Sequence, residues 1–226
     1  MKAFLVTLFL LSSTQILAGI QKSETDKVCA SISANELKSY ESIIKKMNKT
    51  VVDPSEFQSD EDGLQRYLDE VGIKFFSAKE ISTPHSDEGA ANCGVSELIP
   101  PTCSWKNSAA ILSVLDKIRA EIKSPITFRN WWRPGCYNGV VGGAKESDHL
   151  LSKAFDFDFQ SSKDRAIAQK IICEELWKKN ENIQIGIGCN TLHVGLGSPK
   201  GKRYWTYSSL NEESCKVKTL DNCWDL

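Results

Sequence analysis

The 226-residue chain lacks any sizeable net charge: 28 basic and 29 acidic residues leave a formal −1. That balance excludes a generic nucleic-acid or polyanion binder. The chain has no CxxC pair, so a metal held by cysteines is not expected. It has no internal repeat and no low-complexity tract, and no stretch after the N-terminus is apolar enough to span a bilayer. Histidine is scarce, with three in all, at positions 85, 149 and 193. What remains is ordinary: 41% hydrophobic and 25% charged residues, enough for one globular domain with an appendage.

Met1 and Lys2 precede an apolar run from Ala3 to Leu11, and small residues follow at Ala18 and Gly19. This reads as a signal peptide over residues 1–18, too short for a spanning helix, and it predicts a periplasmic or secreted protein. A helical extension over 19–72 comes next. Ser33–Ala34–Asn35–Glu36 has the form of a capping box, and Leu37, Tyr40, Ile43, Ile44 and Met47 follow at helical spacing. Leu64, Tyr67, Leu68 and Val71 predict a second short helix, and the pair is expected to brace the main domain. Residues 84–101, punctuated by proline and glycine, read as loop, so His85 is expected to be a solvated loop histidine with at most a place on a groove wall.

A third helix is expected through Ile111, Leu112, Leu115, Ile118 and Ile122, with Lys117 and Arg119 outward, ended by Pro125. A short strand, Ile126–Thr127–Phe128, leads to Trp131, Trp132 and Arg133. Asp164 to Lys178 predicts another helix, and Ile183, Ile185 and Ile187 alternate as a strand. The fold class that results is α+β, with a small antiparallel central sheet, helices packed on one side and the N-terminal helical extension.

The chemistry concentrates in two alternating stretches. Ala154–Phe155–Asp156–Phe157–Asp158–Phe159 puts three phenylalanines on one strand face and two carboxylates on the other. Carboxylates on a buried face are costly unless paired, and a cation is the simplest partner. His149 lies seven positions before Asp156. In Thr191–Leu192–His193–Val194–Gly195–Leu196, His193 faces away from the apolar side. Side-by-side strands bring His149, Asp156 and His193 together, and two imidazoles with one carboxylate and an open position make a catalytic zinc set. A glycosidase pair, Asp156 with Asp158, competes weakly because it leaves both histidines idle.

The run Ser147-x-His149-x4-Ala154-x-Asp156, followed by Leu192–His193–Val194, resembles the zinc D-alanyl-D-alanine carboxypeptidase family. That family includes vancomycin-resistance and phage endolysin peptidases, and the likeness is to its single-domain bacterial branch. Upstream, Trp132–Arg133–Pro134–Gly135–Cys136–Tyr137–Asn138 and Val141–Gly142–Gly143–Ala144 carry the same likeness, as do Phe76–Ser77–Ala78–Lys79–Glu80 and Lys202–Arg203–Tyr204–Trp205. The span is roughly 73–207, which leaves residues 208–226 as a tail tethered by its cysteines.

The resemblance implies Zn2+ held by His149, Asp156 and His193, water as nucleophile, and peptide bonds of peptidoglycan stem peptides as substrate. It implies a substrate arginine at Arg133, whose guanidinium suits a peptide carboxylate, with Arg129 as neighbour and competitor. Ser147, Tyr137, Asn138 and Trp132 are the implied substrate contacts. No nucleic-acid partner and no membrane span are expected, and the protein is expected to be a monomer. Relatives place a proton acceptor close to the last ligand, at positions occupied here by Asn190, Thr191 and Gly195. Asp158 is the replacement expected, with Glu146 and Asp148 as alternatives. A protein that binds wall peptides without cutting them is the other expectation.

All eight cysteines follow the signal segment, and an even number in an exported chain points to disulfides. Cys93–Cys103 and Cys215–Cys223 would close short loops. Cys136 and Cys189 both border the site and form a third candidate pair.

Overall fold

The computed structural model describes residues 13–211, 215, 223 and 224, with side chains from residue 22 onward. The apolar core of the expected signal, Ala3 to Leu11, lies outside the described residues. Helix α1 (Ser13–Ala30) leads into α2 (Ala34–Lys46), whose start carries the expected capping box: Ser33 accepts from the Glu36 amide, and the Glu36 side chain accepts from the Ser33 amide. α3 (Glu61–Val71) starts on an Asp60 cap and stops at Gly72, whose φ of 89° needs no Cβ there.

Next come α4 (Ala78–Ser82) and α5 (Asp87–Asn92). The second of these corrects the expected loop. Ser86 caps it by accepting from the Gly89 amide, and Asp87 and Glu88 sit in its positive first turn. α6 (Trp105–Ile122) starts six residues before the first apolar position that signalled it. It is buried almost all round, because α2 covers one side while the sheet covers the other. Lys117, Ala120 and Glu121 are its exposed positions, and Arg119, expected outward, is half-buried.

β1 (Ile126–Asn130), α7 (Gly135–Val140), β2 (Ala154–Phe159), α8 (Ser162–Glu175), β3 (Ile183–Ile187), β4 (Thr191–Leu196) and β5 (Arg203–Thr206) complete the order. The strands lie β1-β2-β4-β3-β5. The first four pair antiparallel, as expected, but β5 pairs parallel to β3 and makes the sheet mixed. The chain leaves β4, passes the end of β3 and returns along its free edge, so β5 runs opposite to β4.

Phe155, Phe157 and Phe159 of β2 share a face with Leu192, Val194 and Leu196 of β4 and the three isoleucines of β3. α6 and α8 pack on that face. Tyr40, Ile44, Leu64, Tyr67 and Leu68 of the N-terminal helices belong to the same buried cluster. Lys153, at the foot of β2, is 3% exposed, and its ammonium donates to Glu36 and to the carbonyls of Ser31 and Gly197.

The disulfides are Cys29–Cys103, Cys93–Cys136, Cys173–Cys223 and Cys189–Cys215. None of the three expected pairs forms. Cys93, at the end of α5, meets Cys136 in α7, while Cys103 faces the last turn of α1. The two tail cysteines bind back to α8 and to the β3–β4 turn rather than to each other.

Candidate metal centre

The face of the sheet opposite the helices carries one row of residues straight across all five strands. Asn130 pairs with Asp156, Asp156 with His193, His193 with Gly186, and Gly186 with Trp205. Cross-strand partners lie about 5 Å apart, so the register alone brings the carboxylate and the imidazole into contact. A shift in the β1–β2 register between Phe128 and Asn130 puts Asn130 in the row. His149 arrives from outside the sheet, on a 3-10 turn (Asp148–Leu151) capped by Ser147. Ser152, at φ 55°, then turns the chain into β2.

His149 Nε2 lies 3.1 Å from Asp156 Oδ2, and His193 Nδ1 lies 2.7 Å from Asp156 Oδ1. The imidazole centroids are 5.0 Å apart, and one ligand atom from each of the three side chains lies within 4.8 Å of the others. Among the described residues no other trio of histidine, cysteine or carboxylate side chains comes this close. His149 Nδ1 is 2.6 Å from the Trp131 carbonyl, a contact only an N–H can make, so the Nε2 lone pair is left for another partner. That Nε2 is buried and has no hydrogen-bond partner in the protein. An orphaned imidazole nitrogen beside a carboxylate fits a divalent cation, and the donor set suits zinc.

The electrostatics agree. Burial alone pushes the Asp156 carboxyl up, but the His149 and His193 rings outweigh it and hold the group well below the usual carboxylate range. Burial lowers the pKa of His149, with Asp156 opposing. An ionised carboxylate beside a neutral imidazole is the protonation state a metal requires. Asn130 adds a hydrogen bond, donating from Nδ2 to Asp156 Oδ2 at 3.3 Å.

Arg133 stands at the rim. Its Nη2 donates to Ser147 Oγ at 3.2 Å, its amide donates to the His149 carbonyl, and its buried Nε has no partner. Burial depresses its pKa, with Asp156 opposing, and the group stays cationic. The Trp132 indole is 7% exposed and its Nε1–H is unpartnered. Tyr137 is fully buried and its hydroxyl accepts from the Ser86 amide. Asn138 is buried and donates to the Ala144 carbonyl, bracing the turn at Gly142 and Gly143. A Cβ on Gly143 would lie 2.0 Å from Asn138 Oδ1, so that close approach requires glycine. Asp158 shares the Asp156 face, where it receives Arg129 Nε and the Thr191 hydroxyl. His85 is exposed.

Two further aromatic residues frame the site. Trp205 lies across Gly186 with its ring centroid 5.1 Å from that of His193. Tyr207 packs edge-on against Trp205 with ring centroids 6.1 Å apart, and burial with the Asp156 charge raises its hydroxyl pKa. Nothing in the sequence pattern marked Asn130 or Tyr207. Strand alternation would put Asn130 on the face of Phe128, and only the register shift sets it opposite Asp156.

A family model described as Peptidase M15 matches residues 81–196. No curated protein and no solved structure matches the chain.

Proposed function

Because the chain belongs to the peptidase M15 family, we propose that it is an exported zinc peptidase that hydrolyses peptide bonds in peptidoglycan stem peptides. The observation that carries the reading is the partnerless Nε2 of His149, 3.1 Å from Asp156 and facing the same gap as His193. His149 through Nε2, Asp156 and His193 through Nδ1 would hold the ion. Zinc in such a set supplies Lewis acidity and a water nucleophile at neutral pH.

This chain's own residues do the rest. The Trp131 carbonyl fixes the His149 tautomer, and Asn130 orients Asp156. Arg133, tethered by Ser147, offers its remaining N–H groups to a peptide carboxylate or to charge that develops on the scissile carbonyl. Trp132 lines the approach, and Tyr137 and Asn138 hold the loop that carries Arg133. Asp158 is assigned as acceptor of the water's proton.

A second reading has its own support. Asp158 is already engaged by Arg129 and Thr191, and position 195 is glycine. This favours a protein that binds stem peptides without cutting them. Four disulfides and the N-terminal apolar run support export in either case.

The test is to incubate zinc-loaded protein with muropeptides and follow stem length by mass spectrometry. Shortened stems, lost with a chelator and in His193→Ala, are expected. Intact stems at full zinc occupancy, with retained muropeptide binding, select the second reading. No zinc bound at all removes both metal-dependent readings.

A further inference from the structure

Three features outside the described chemistry stand close together: a buried carboxylate, a glycine and one nitrogen of a ligand histidine. Asp148 is 5% exposed, and its Oδ2 has no hydrogen-bond partner. A buried carboxylate oxygen left unpaired is expensive, so it requires an explanation. Gly195 sits in β4, two residues beyond His193 and on the same face. The position its Cβ would take lies 3.3 Å from Asp148 Oδ2, 3.4 Å from His193 Nε2 and 3.5 Å from Gln184 Cβ. Gln184 is committed at both ends, donating to Ser198 Oγ and accepting from Arg203, so its amide does not serve Asp148.

The tautomer of His193 supplies the other half. Its Nδ1 faces Asp156 and the gap where an ion would sit. Without an ion, Nδ1 at 2.7 Å donates to the Asp156 carboxylate; to offer a lone pair to a metal instead, the ring must carry its proton on Nε2. Both that Nε2 and the orphaned Asp148 oxygen lie within 3.4 Å of the Cβ position over Gly195. A water seated there would donate to the carboxylate and accept from the imidazole.

We infer that Asp148 is a positioning residue for His193, acting through a water seated over Gly195 to keep the imidazole proton on Nε2 and its Nδ1 free for the metal. The inference rests on the metal-site reading above and adds an outer partner to it. Gly195 is then required for space, because any Cβ fills the water's place. Carboxylate partners of this kind typically change metal affinity by about 10–100-fold.

The test uses the full chain with zinc alone as probe, and needs no turnover. Asp148→Asn, Gly195→Ala and the double variant are compared with the parent by competition against a chromogenic chelator. Each single variant is expected to weaken zinc about tenfold or more, and the double variant to be no weaker than the worse single, because both remove the same bridge. In nitrogen-15 spectra of the zinc-loaded protein, the parent's His193 Nε2–H should exchange slowly with solvent and that of Asp148→Asn quickly. Apo-protein melting checks that both variants fold. Parent-like zinc affinity in Asp148→Asn, or losses that add in the double variant, overturns the inference and leaves the metal site standing. A parent that binds no zinc overturns both.

Discussion

Glu36→Gln isolates the value of a charge at the junction between the N-terminal helices and the site. The substitution keeps the capping box, since glutamine serves at the third helical position as glutamate does. Its single carbonyl oxygen then serves Ser33, and an amide NH2 replaces the oxygen that faced Lys153. What the substitution removes is, among the described residues, the only carboxylate paired with an ammonium whose side chain is 4% exposed. Taking one partner from a buried pair costs about 3–5 kcal/mol. Two carbonyl acceptors remain on Lys153 and the Glu36 side chain is 16% exposed, so about 2–3 kcal/mol is expected here. For a chain of this size that lowers Tm by about 4–12 °C. Lys153→Met also destabilises, because the Ser31 and Gly197 carbonyls lose their donor. The double variant should cost less than the sum of the singles by about 1.5–2 kcal/mol, since no ammonium then lacks a counter-charge. Burial pushes Glu36 up, but Lys153 and the Ser33 cap outweigh it and hold its pKa below the ordinary 4.5. A depressed carboxylate stabilises above its unfolded value, so the gap between parent and Glu36→Gln should close as pH falls below about 4.5. Urea melts followed by circular dichroism measure all of this. A Glu36→Gln cost under about 0.5 kcal/mol, or strictly additive singles, refutes the buried-pair argument.

Zinc at about a thousand times its Kd should add about 4 kcal/mol and raise Tm by roughly 8–16 °C, with the shift abolished in His193→Ala and reversed by a chelator; scanning calorimetry checks it. Glu175 is pushed up by burial but held at about 2 by Lys117, Lys179 and Lys46. Its contribution should therefore be complete above the ordinary 4.5 and fade as pH falls towards about 2, and Glu175→Gln should flatten that acid limb at a cost of about 1–2 kcal/mol near pH 7, read from melts across pH. Gly186→Ala would set a Cβ 2.7 Å from the Trp205 ring. It should destabilise by about 1–3 kcal/mol and shift indole fluorescence as the ring leaves His193; an unchanged spectrum would contradict the contact.

The site strands were legible because β2 and β4 alternate cleanly and each places a candidate metal ligand on the face opposite its apolar residues. His149 and Asp156 are close in sequence, and the alignment of His193 with Asp156 needed only antiparallel pairing. β5 was not legible: Arg203, Tyr204 and Thr206 are exposed, and its place on the edge comes from chain reversal rather than composition. α5 and α7 are about two turns long, held by a Ser86 cap and the Cys93–Cys136 bridge instead of an apolar stripe. The Asn130 contact depends on a register shift that leaves no mark in residue types. The disulfides could not be read because their partners are set by tertiary contacts up to 74 residues apart.

The order in which the bridges link the cysteines has a consequence for biosynthesis. Cys29–Cys103 and Cys93–Cys136 interleave, whereas Cys189–Cys215 joins neighbours in the series and nests inside Cys173–Cys223. An oxidant that joins thiols as they emerge would couple Cys29 to Cys93 first and trap the amino-terminal half in a wrong pairing. The carboxy-terminal half would fare no better, because Cys173 would couple to Cys189 before Cys215 emerges. Thiol–disulfide shuffling is therefore a maturation requirement of both halves, and a host that oxidises without isomerising should yield chains scrambled in each.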